Sequence, residues 1–185
     1  MPAAKIMLIR HAEKPDGDYD GVSAKGKSDD EELIVRGWQR SGALARFFAP
    51  RGGAFVDPHL AQPNTIFASG VGKHSNSLRP QHTVLELSEI LGLSLNLNFM
   101  KGDEAALAEA AMAATGPVLI AWEHEAIPDI VNAITDNNTT CPQKWPGSRF
   151  DMMWVLDRQN PANGWTLTQV PQLLLSGDSD TPIAS

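Results

Sequence analysis

Apolar residues along this chain form two kinds of pattern, which predict strands and helices in alternation. Ile6 to Ile9 and Val118 to Trp122 are short, continuous apolar runs with β-branched members, and such runs are typical of buried strands in a parallel sheet. A third run, Thr65 to Gly70, predicts another strand that ends in small residues. Longer segments with apolar residues three and four positions apart predict helices. These segments are residues 33–48, 78–91, 103–115 and 127–134.

This alternation predicts an α/β fold, a three-layer α/β/α sandwich around a mostly parallel central sheet. Residues 150–156 and 165–174 resemble two later strands, joined by residues 160–164, and we expect them to extend the sheet at its edges with at least one strand antiparallel. A single domain is predicted over residues 1–175. The polar segment 176–185 is expected to be a frayed C-terminal tail.

Two histidines come directly after predicted strands. Arg10 and His11 follow the first apolar run, and His124 lies just beyond the strand that ends at Trp122. Ligands of open α/β sheets bind at the carboxyl ends of the strands, so neighbouring strands would bring both imidazoles to one crevice. Imidazole can act as nucleophile, base or acid, and arginine is a permanent cation. Either histidine alone is more simply structural, but the pair at matching strand ends favours a functional site.

Charged residues near the predicted helix starts have different expected roles. The acidic run 29–32 suits the first turn of the first helix, because negative charge is stabilised at a helix N-terminus. Arg36, Arg40 and Arg46 lie along that helix and are most simply solvated. Arg79 stands at the start of another helix, where free N–H groups and the helix dipole favour an anion.

Composition and charge restrict the possible functions. The 185 residues carry a formal net charge of −7, which argues against a nucleic-acid-binding face. Cys141 is the only cysteine, and the five histidines show no metal-ligand spacing, so neither a disulfide framework nor a metal site is predicted. No apolar run is long enough to span a membrane or to form a signal peptide. We therefore expect a cytoplasmic enzyme or binding protein, with an undetermined oligomeric state.

Four segments in order resemble the histidine phosphatase superfamily, which includes the phosphoglycerate mutases. Arg10 to Glu13 resembles its Arg-His-Gly/Ala-Glu signature, and Leu33 to Arg40 is similar to its Leu-Thr-x-x-Gly helix, with Ile34 in place of threonine. Ala68-Ser69 followed by Arg79 to Thr83 resembles its Ser…Arg-Ala-x-x-Thr segment, with a longer insertion. Residues 118–124 resemble the strand that carries a second catalytic histidine.

The resemblance implies a phosphatase fold without a large inserted cap and a reaction that needs no metal or cofactor. His11 would attack phosphorus and form a phosphohistidine, which water hydrolyses. Arg10, Arg79 and Ser69 would bind the phosphate, and His124, protonated, would donate another hydrogen bond. The expected substrate is a phosphate monoester, a phosphohistidine or a diphosphate, carried by a small molecule or a phosphoprotein. It would be selected by residues 15–30, 71–78 and 136–148.

The sequence offers three candidates for the general acid. Glu125 directly follows the second histidine, as in the acid-phosphatase branch, whereas Asp103 or Glu104 falls near the position used in mutase-like members; we favour Glu125. Glu13 is expected to be structural. Two other functions remain open. A mutase-type transferase is disfavoured because Pro15-Asp16 stands where that group has tryptophan and asparagine, and the third possibility is a catalytically weak phosphate-binding protein.

Overall fold

The structure is a computed structural model that describes residues 2–158 and 164–184, so most of the predicted connection 160–164 lies outside the described residues. Its elements alternate in the order that the sequence predicts, and one further strand, β3, has only two residues. The strands are β1 (Lys5–Arg10), β2 (Thr65–Ala68), β3 (Leu95–Asn96), β4 (Val118–Trp122), β5 (Met152–Asp157) and β6 (Thr166–Pro171). The helices are α1 (Val35–Phe48), α2 (Arg79–Leu91), α3 (Glu104–Ala113) and α4 (Ile127–Thr135).

The six strands form one sheet in the order β3-β2-β4-β1-β5-β6. The first four of these run parallel, and β5 pairs antiparallel with both β1 and β6. The predicted mostly parallel sheet is therefore confirmed, with β5 and β6 extending one edge. β1 and β4 are direct neighbours at the centre, in a register that pairs Arg10 with Trp122.

Helices cover both faces of the sheet, because successive side chains of its central strands point to opposite sides. Ile6 and Leu8 of β1 pack with α3 and α4 in one core, whereas Met7 and Ile9 pack with α1 and α2 in the other. All four of these side chains are fully buried. This arrangement is the predicted three-layer α/β/α sandwich, and it leaves the carboxyl ends of the parallel strands at one edge.

The first helix begins later than the acidic run predicts. α1 starts at Val35 with no acidic residue in its first turn, and Ile34 is its N-cap with an extended backbone. The chain stays extended there because the backbone N–H of Ile34 donates to the carbonyl oxygen of Glu13 at 3.1 Å. Gly37 then packs directly on Glu13, since a Cβ at this position would collide with the Glu13 carbonyl oxygen. The start of α1 is therefore fixed by the segment that follows His11.

The C-terminal segment, residues 176–184, packs against the domain, so the expectation of a frayed tail is wrong. Ile183 is 3 % exposed and belongs to the core that contains α3 and α4. Its backbone N–H donates to Gln169 at 2.8 Å. Asp178 accepts hydrogen bonds from the backbone N–H groups of Leu174 and Leu175, which turns the chain back onto the molecule.

Candidate active site

The ends of β1 and β4 bring the two predicted histidines to the same edge of the sheet. The ladder continues one residue past β1, because the backbone N–H of His11 donates to the carbonyl oxygen of Trp122 at 2.9 Å. His124 follows Trp122 by two residues, and its charge contributes to lowering the pKa of His11. The two imidazoles therefore lie within electrostatic range of each other, as the parallel strand ends predict.

His11 is buried and neutral. Burial is the main cause that lowers the pKa of its imidazole from 6.5 to about 3, and the positive charges of Arg10 and Arg79 lower it further. The Nδ1 atom lies 2.7 Å from the carbonyl oxygen of Ala12. A carbonyl oxygen can only accept, so Nδ1 carries the proton and Nε2 carries the lone pair. At neutral pH this ring therefore has one nitrogen, Nε2, with an available lone pair.

Arg10 is fully buried, and only one edge of its guanidinium group is used by the protein. Its Nη1 donates to the carbonyl oxygens of Gly147 and Arg149, and the group stacks on Phe150 with 3.7 Å between Cζ and the ring centroid. Nε and Nη2 have no partner among the described residues. Burial lowers the pKa of Arg10 to about 10, so the group remains a cation at neutral pH.

Arg79 also has a buried guanidinium donor without a partner in the described part of the chain, but on one nitrogen instead of two. It is the first residue of α2, and its Nη1 donates to the carbonyl oxygen of Asp30 at 2.7 Å, while Nη2 lies 3.8 Å from a carboxylate oxygen of Glu31. The acidic run therefore binds Arg79 rather than serving as a helix first turn. The Nε atom of Arg79 is buried without a partner among the described residues, and burial lowers the pKa of the group.

Two arginines at this edge have buried donors without a partner among the described residues. Arg79 lowers the pKa of Arg10 and of His11, so the positive charges act on one another. A buried polar group without a hydrogen-bond partner is costly, and a second like charge nearby adds to that cost. An anion with several acceptor oxygens would relieve both, since forked guanidinium donors match such oxygens.

His124 is half-buried, and its ring is neutral in the unliganded protein. Burial first, and then the charge of Arg10, lowers the pKa of its ring to about 4, so it is neutral at pH 7 in this state. The backbone of Gly147 passes beside this ring, since a Cβ there would stand 3.5 Å from Nε2 of His124.

The three candidate general acids have different surroundings. Glu125 is largely exposed, with a side chain that is 72 % accessible, and its charge raises the pKa of both Arg10 and His124. Glu104 instead accepts hydrogen bonds from Trp122 Nε1 and the backbone N–H of Gly102, each at 3.1 Å. Asp103 is the N-cap of α3, and its carboxylate accepts from the backbone N–H of Met100. Only the first of the three carboxylates is unengaged by backbone or indole donors.

Ser69 directly follows β2 at the same sheet edge and is 6 % exposed. Its backbone N–H lies 3.4 Å from the carbonyl oxygen of Ala121 on the neighbouring strand. The hydroxyl donates to the carbonyl oxygen of Gly70 at 3.4 Å, which is a weak hydrogen bond that a ligand could replace.

Arg40 is a buried residue of this region, so its assignment as a solvated helix residue is wrong. It is 1 % exposed and forms ion pairs with Glu13 at 2.8 Å and with Asp178 at 2.7 Å. Arg36 also reaches Glu13, at 3.0 Å. Glu13 is therefore enclosed by two arginines, which agrees with the structural role expected for it. Arg46, in contrast, is exposed as expected.

Two cavities lie beside Arg10 and His124. One, of about 480 Å³, is lined by Gly147 and Phe150, which contact Arg10, and by Lys14 and Tyr19 from the loop after β1. The other, of about 490 Å³, is lined by Glu123 and Glu125 on either side of His124 in the chain. Each has enough volume for the non-phosphate part of a small substrate.

Within residues 2–158 and 164–184, no group of three or more His, Cys, Asp or Glu side chains could hold a metal ion. The helices described by the structure include none that is long and apolar enough to cross a membrane.

Comparison with known proteins establishes the fold. No protein-family model matches the sequence, and no curated protein matches it. Among solved structures, the protein histidine phosphatase SixA complexed with tungstate is 15 % identical over 91 % of this chain and 97 % of its own, with a TM-score of 0.50. SixA from Agrobacterium tumefaciens is 18 % identical over 91 % of this chain and 97 % of its own, with a TM-score of 0.50. A mycobacterial glucosyl-3-phosphoglycerate phosphatase in complex with VO3 is 12 % identical over 90 % of this chain and 97 % of its own, with a TM-score of 0.53.

The chain thus has the α/β fold of these solved phosphatases, which is the fold that the sequence motifs predict. It has the small form of that fold, since no inserted cap domain interrupts residues 2–158 or 164–184.

Proposed function

We propose that this protein is a metal-independent phosphohydrolase that acts through a phosphohistidine on His11. The main support is the combination of a neutral, buried imidazole with two arginines, Arg10 and Arg79, whose buried N–H donors have no partner among the described residues. Solved structures with the same fold include phosphatases in complex with tungstate and with VO3, which are oxyanions.

In the proposed first step, Nε2 of His11 attacks the phosphorus atom. A nitrogen–phosphorus bond forms as the bond from phosphorus to the leaving oxygen breaks, and that oxygen takes a proton. Water then attacks the phosphohistidine and releases inorganic phosphate, which restores the neutral ring. Both steps develop charge on the equatorial oxygens, so the rate depends on donors fixed around them.

Arg10 and Arg79 are proposed to supply those donors. The unpartnered Nε and Nη2 of Arg10 form the side of the guanidinium group that binds two oxygens in parallel, and Nε of Arg79 adds a further donor. Ser69 is proposed to donate its hydroxyl after giving up its weak bond to Gly70. His124 is neutral before substrate binds, and we propose that a dianionic phosphate raises its pKa so that the ring can become a cation in the complex.

Glu125 is the proposed general acid for the leaving oxygen. It directly follows His124 and is free of strong partners, with Lys101 Nζ at 3.9 Å. Glu104 is held by Trp122 and Asp103 by the Met100 backbone, so either would have to break a hydrogen bond first. We propose a phosphorylated small molecule or a phosphoprotein as substrate, and a cytoplasmic location, as the composition suggests.

A mutase-type transferase and a phosphate-binding protein without turnover are the alternatives. The test is release of phosphate from an aryl phosphate in the presence of a chelator. We expect turnover that His11→Ala and Arg79→Ala abolish, while His59→Ala, which removes a half-exposed histidine paired with Asp157, leaves it unchanged. Activity that persists in His11→Ala would exclude the phosphohistidine route. Isomerisation of 3-phosphoglycerate without net phosphate release would favour the transferase, and phosphate binding without turnover would favour the binding protein.

A further inference from the structure

The guanidinium group of Arg10 is oriented by a short loop, residues 147–151. Two backbone carbonyls of this loop accept from Nη1, and the ring of Phe150 covers one face of the group. These contacts use one nitrogen and one face, and they leave Nε and Nη2 free. The direction in which Arg10 presents its two free donors therefore depends on where the loop backbone lies.

The loop is tied in turn to the C-terminal segment, residues 176–184. The side chain of Arg149 donates to the carbonyl oxygen of Thr181 at 2.8 Å and to that of Ser179 at 3.4 Å, and its Nε donates to Asp151 at 2.7 Å. Asp151 also accepts from the backbone N–H of Ser179 at 2.6 Å. Three hydrogen bonds thus join the loop to the segment, and the bond between Arg149 and Asp151 holds the two loop side chains together.

The contacts between loop 147–151 and the C-terminal segment involve the same residue, Arg149, that accepts a hydrogen bond from Arg10. The carbonyl oxygen of Arg149 accepts from Arg10 and also from Trp145 Nε1, at 2.9 Å, while its side chain holds the C-terminal segment. Asp151 is 7 % exposed, and the Arg149 side chain is 16 % exposed, so water competes weakly for these contacts. A loop held only by solvated contacts would leave the Arg10 side chain free to turn.

We propose that Arg149 is a positioning residue for the phosphate site, acting through loop 147–151 on the orientation of Arg10. The proposal rests on the proposed function in one respect, namely that the free edge of Arg10 binds the phosphate. Arg149 does not touch the substrate in this scheme. Its role is to hold two carbonyl acceptors and the Phe150 ring where they fix the guanidinium plane.

The test is a double-mutant cycle on tungstate binding, measured by titration calorimetry on the full chain. We expect Arg149→Gln to weaken binding by on the order of 10-fold to 100-fold, because small displacements of an oriented group lose that much. In an Arg10→Ala background the same change should have no further effect, since the group that it positions is gone. Loss by the same factor in both backgrounds, or unchanged binding in Arg149→Gln alone, would overturn the proposal.

Two further variants keep the experiment decisive. Asp151→Asn weakens the same fastening with a smaller change, and it takes the place of Arg149→Gln if that variant does not fold. Arg158→Gln removes an equal charge from the opposite edge of the sheet, where the group stacks on Trp165, and should leave tungstate binding unchanged. A wild-type protein that binds tungstate but releases no phosphate from an aryl phosphate would refute the phosphohydrolase and leave the positioning role standing.

Discussion

Thr83 of α2 accepts a hydrogen bond from the backbone N–H of Ala12 at 2.7 Å, and its hydroxyl donates to the carbonyl oxygen of Arg79 at 2.7 Å. One fully buried hydroxyl thus joins the residue after His11 to the residue that begins α2. The two segments are far apart in sequence, and both carry groups of the proposed phosphate site. This side chain therefore helps to set the distance between His11 and Arg79.

Thr83→Val tests this link, because valine has nearly the same shape but cannot accept the Ala12 N–H. We expect a loss of about 1–3 kcal/mol in the free energy of unfolding, from the buried donor left without a partner. We also expect a lower kcat/KM for an aryl phosphate. Thr135→Val is the matched control, since the Thr135 hydroxyl donates to the carbonyl oxygens of Val131 and Asn137 and accepts from no N–H group among the described residues. Equal effects of the two changes would contradict this account.

The low pKa of His11 makes stability depend on pH in a defined direction. In the unfolded chain the ring titrates near 6.5, whereas in the folded protein its pKa is about 3. As the pH falls from 6.5 towards 3, the ring is protonated in the unfolded chain but not in the folded protein. The free energy of unfolding therefore decreases over this range. The slope is about 1.4 kcal/mol per pH unit for one such histidine. Denaturant titrations at pH 7 and pH 5 should therefore show a smaller loss in His11→Gln than in wild type, by roughly 2 kcal/mol; equal losses would show that His11 is not held neutral.

The role of Glu125 can be tested by comparing kcat for substrates with different leaving groups. If it protonates the departing oxygen, Glu125→Gln should reduce kcat strongly for alkyl phosphates and much less for nitrophenyl phosphate, whose leaving group needs no proton. A single general acid contributes typically on the order of 10²–10⁴ in rate. Glu109→Gln on the exposed side of α3 is the control for the lost charge. A loss of the same size for both substrates would indicate an orienting role instead.

The buried network around Arg40 predicts a large effect on stability. Arg40→Met leaves the carboxylates of Glu13 and Asp178 without their main partner, and removing one member of a buried ion pair typically costs about 3–5 kcal/mol. Arg46→Met, six positions along the same helix and exposed, should change the free energy of unfolding by less than about 0.5 kcal/mol. Comparable losses in the two variants, measured by denaturant titration, would mean that the network contributes little.

The sequence predicts the layers of this fold well because strands and helices here follow their usual periodicities. The runs at β1 and β4 are apolar on both faces, as the centre of a parallel sheet requires, and residues at their carboxyl ends must meet. Gly92 ends α2 in the left-handed backbone conformation, with φ of 65°, as its position after Leu91 predicts. These features are local, and local patterns are sufficient to find them.

The parts that sequence reasoning missed depend on contacts between distant residues. Arg40 looks like a solvated helix residue because its two carboxylate partners lie 27 and 138 positions away. The C-terminal segment is polar apart from Ile183, so no periodicity marks it as packed. The neutral state of His124 follows from burial beside Arg10, which only the folded arrangement creates. The backbone carbonyls that accept hydrogen bonds from Arg10 cannot be predicted from the sequence, since any residue can supply a backbone oxygen.

The hydrogen bond from the His11 ring to the Ala12 carbonyl has a consequence for the chemical form of the proposed intermediate. With Nδ1 occupied, a transferred phosphoryl group can be carried only on the other nitrogen, which gives the tele isomer rather than the pros isomer. The two regioisomers have different phosphorus resonances and different lability in acid. The phosphorus resonance of a trapped intermediate would therefore show which nitrogen of the ring faces the crevice.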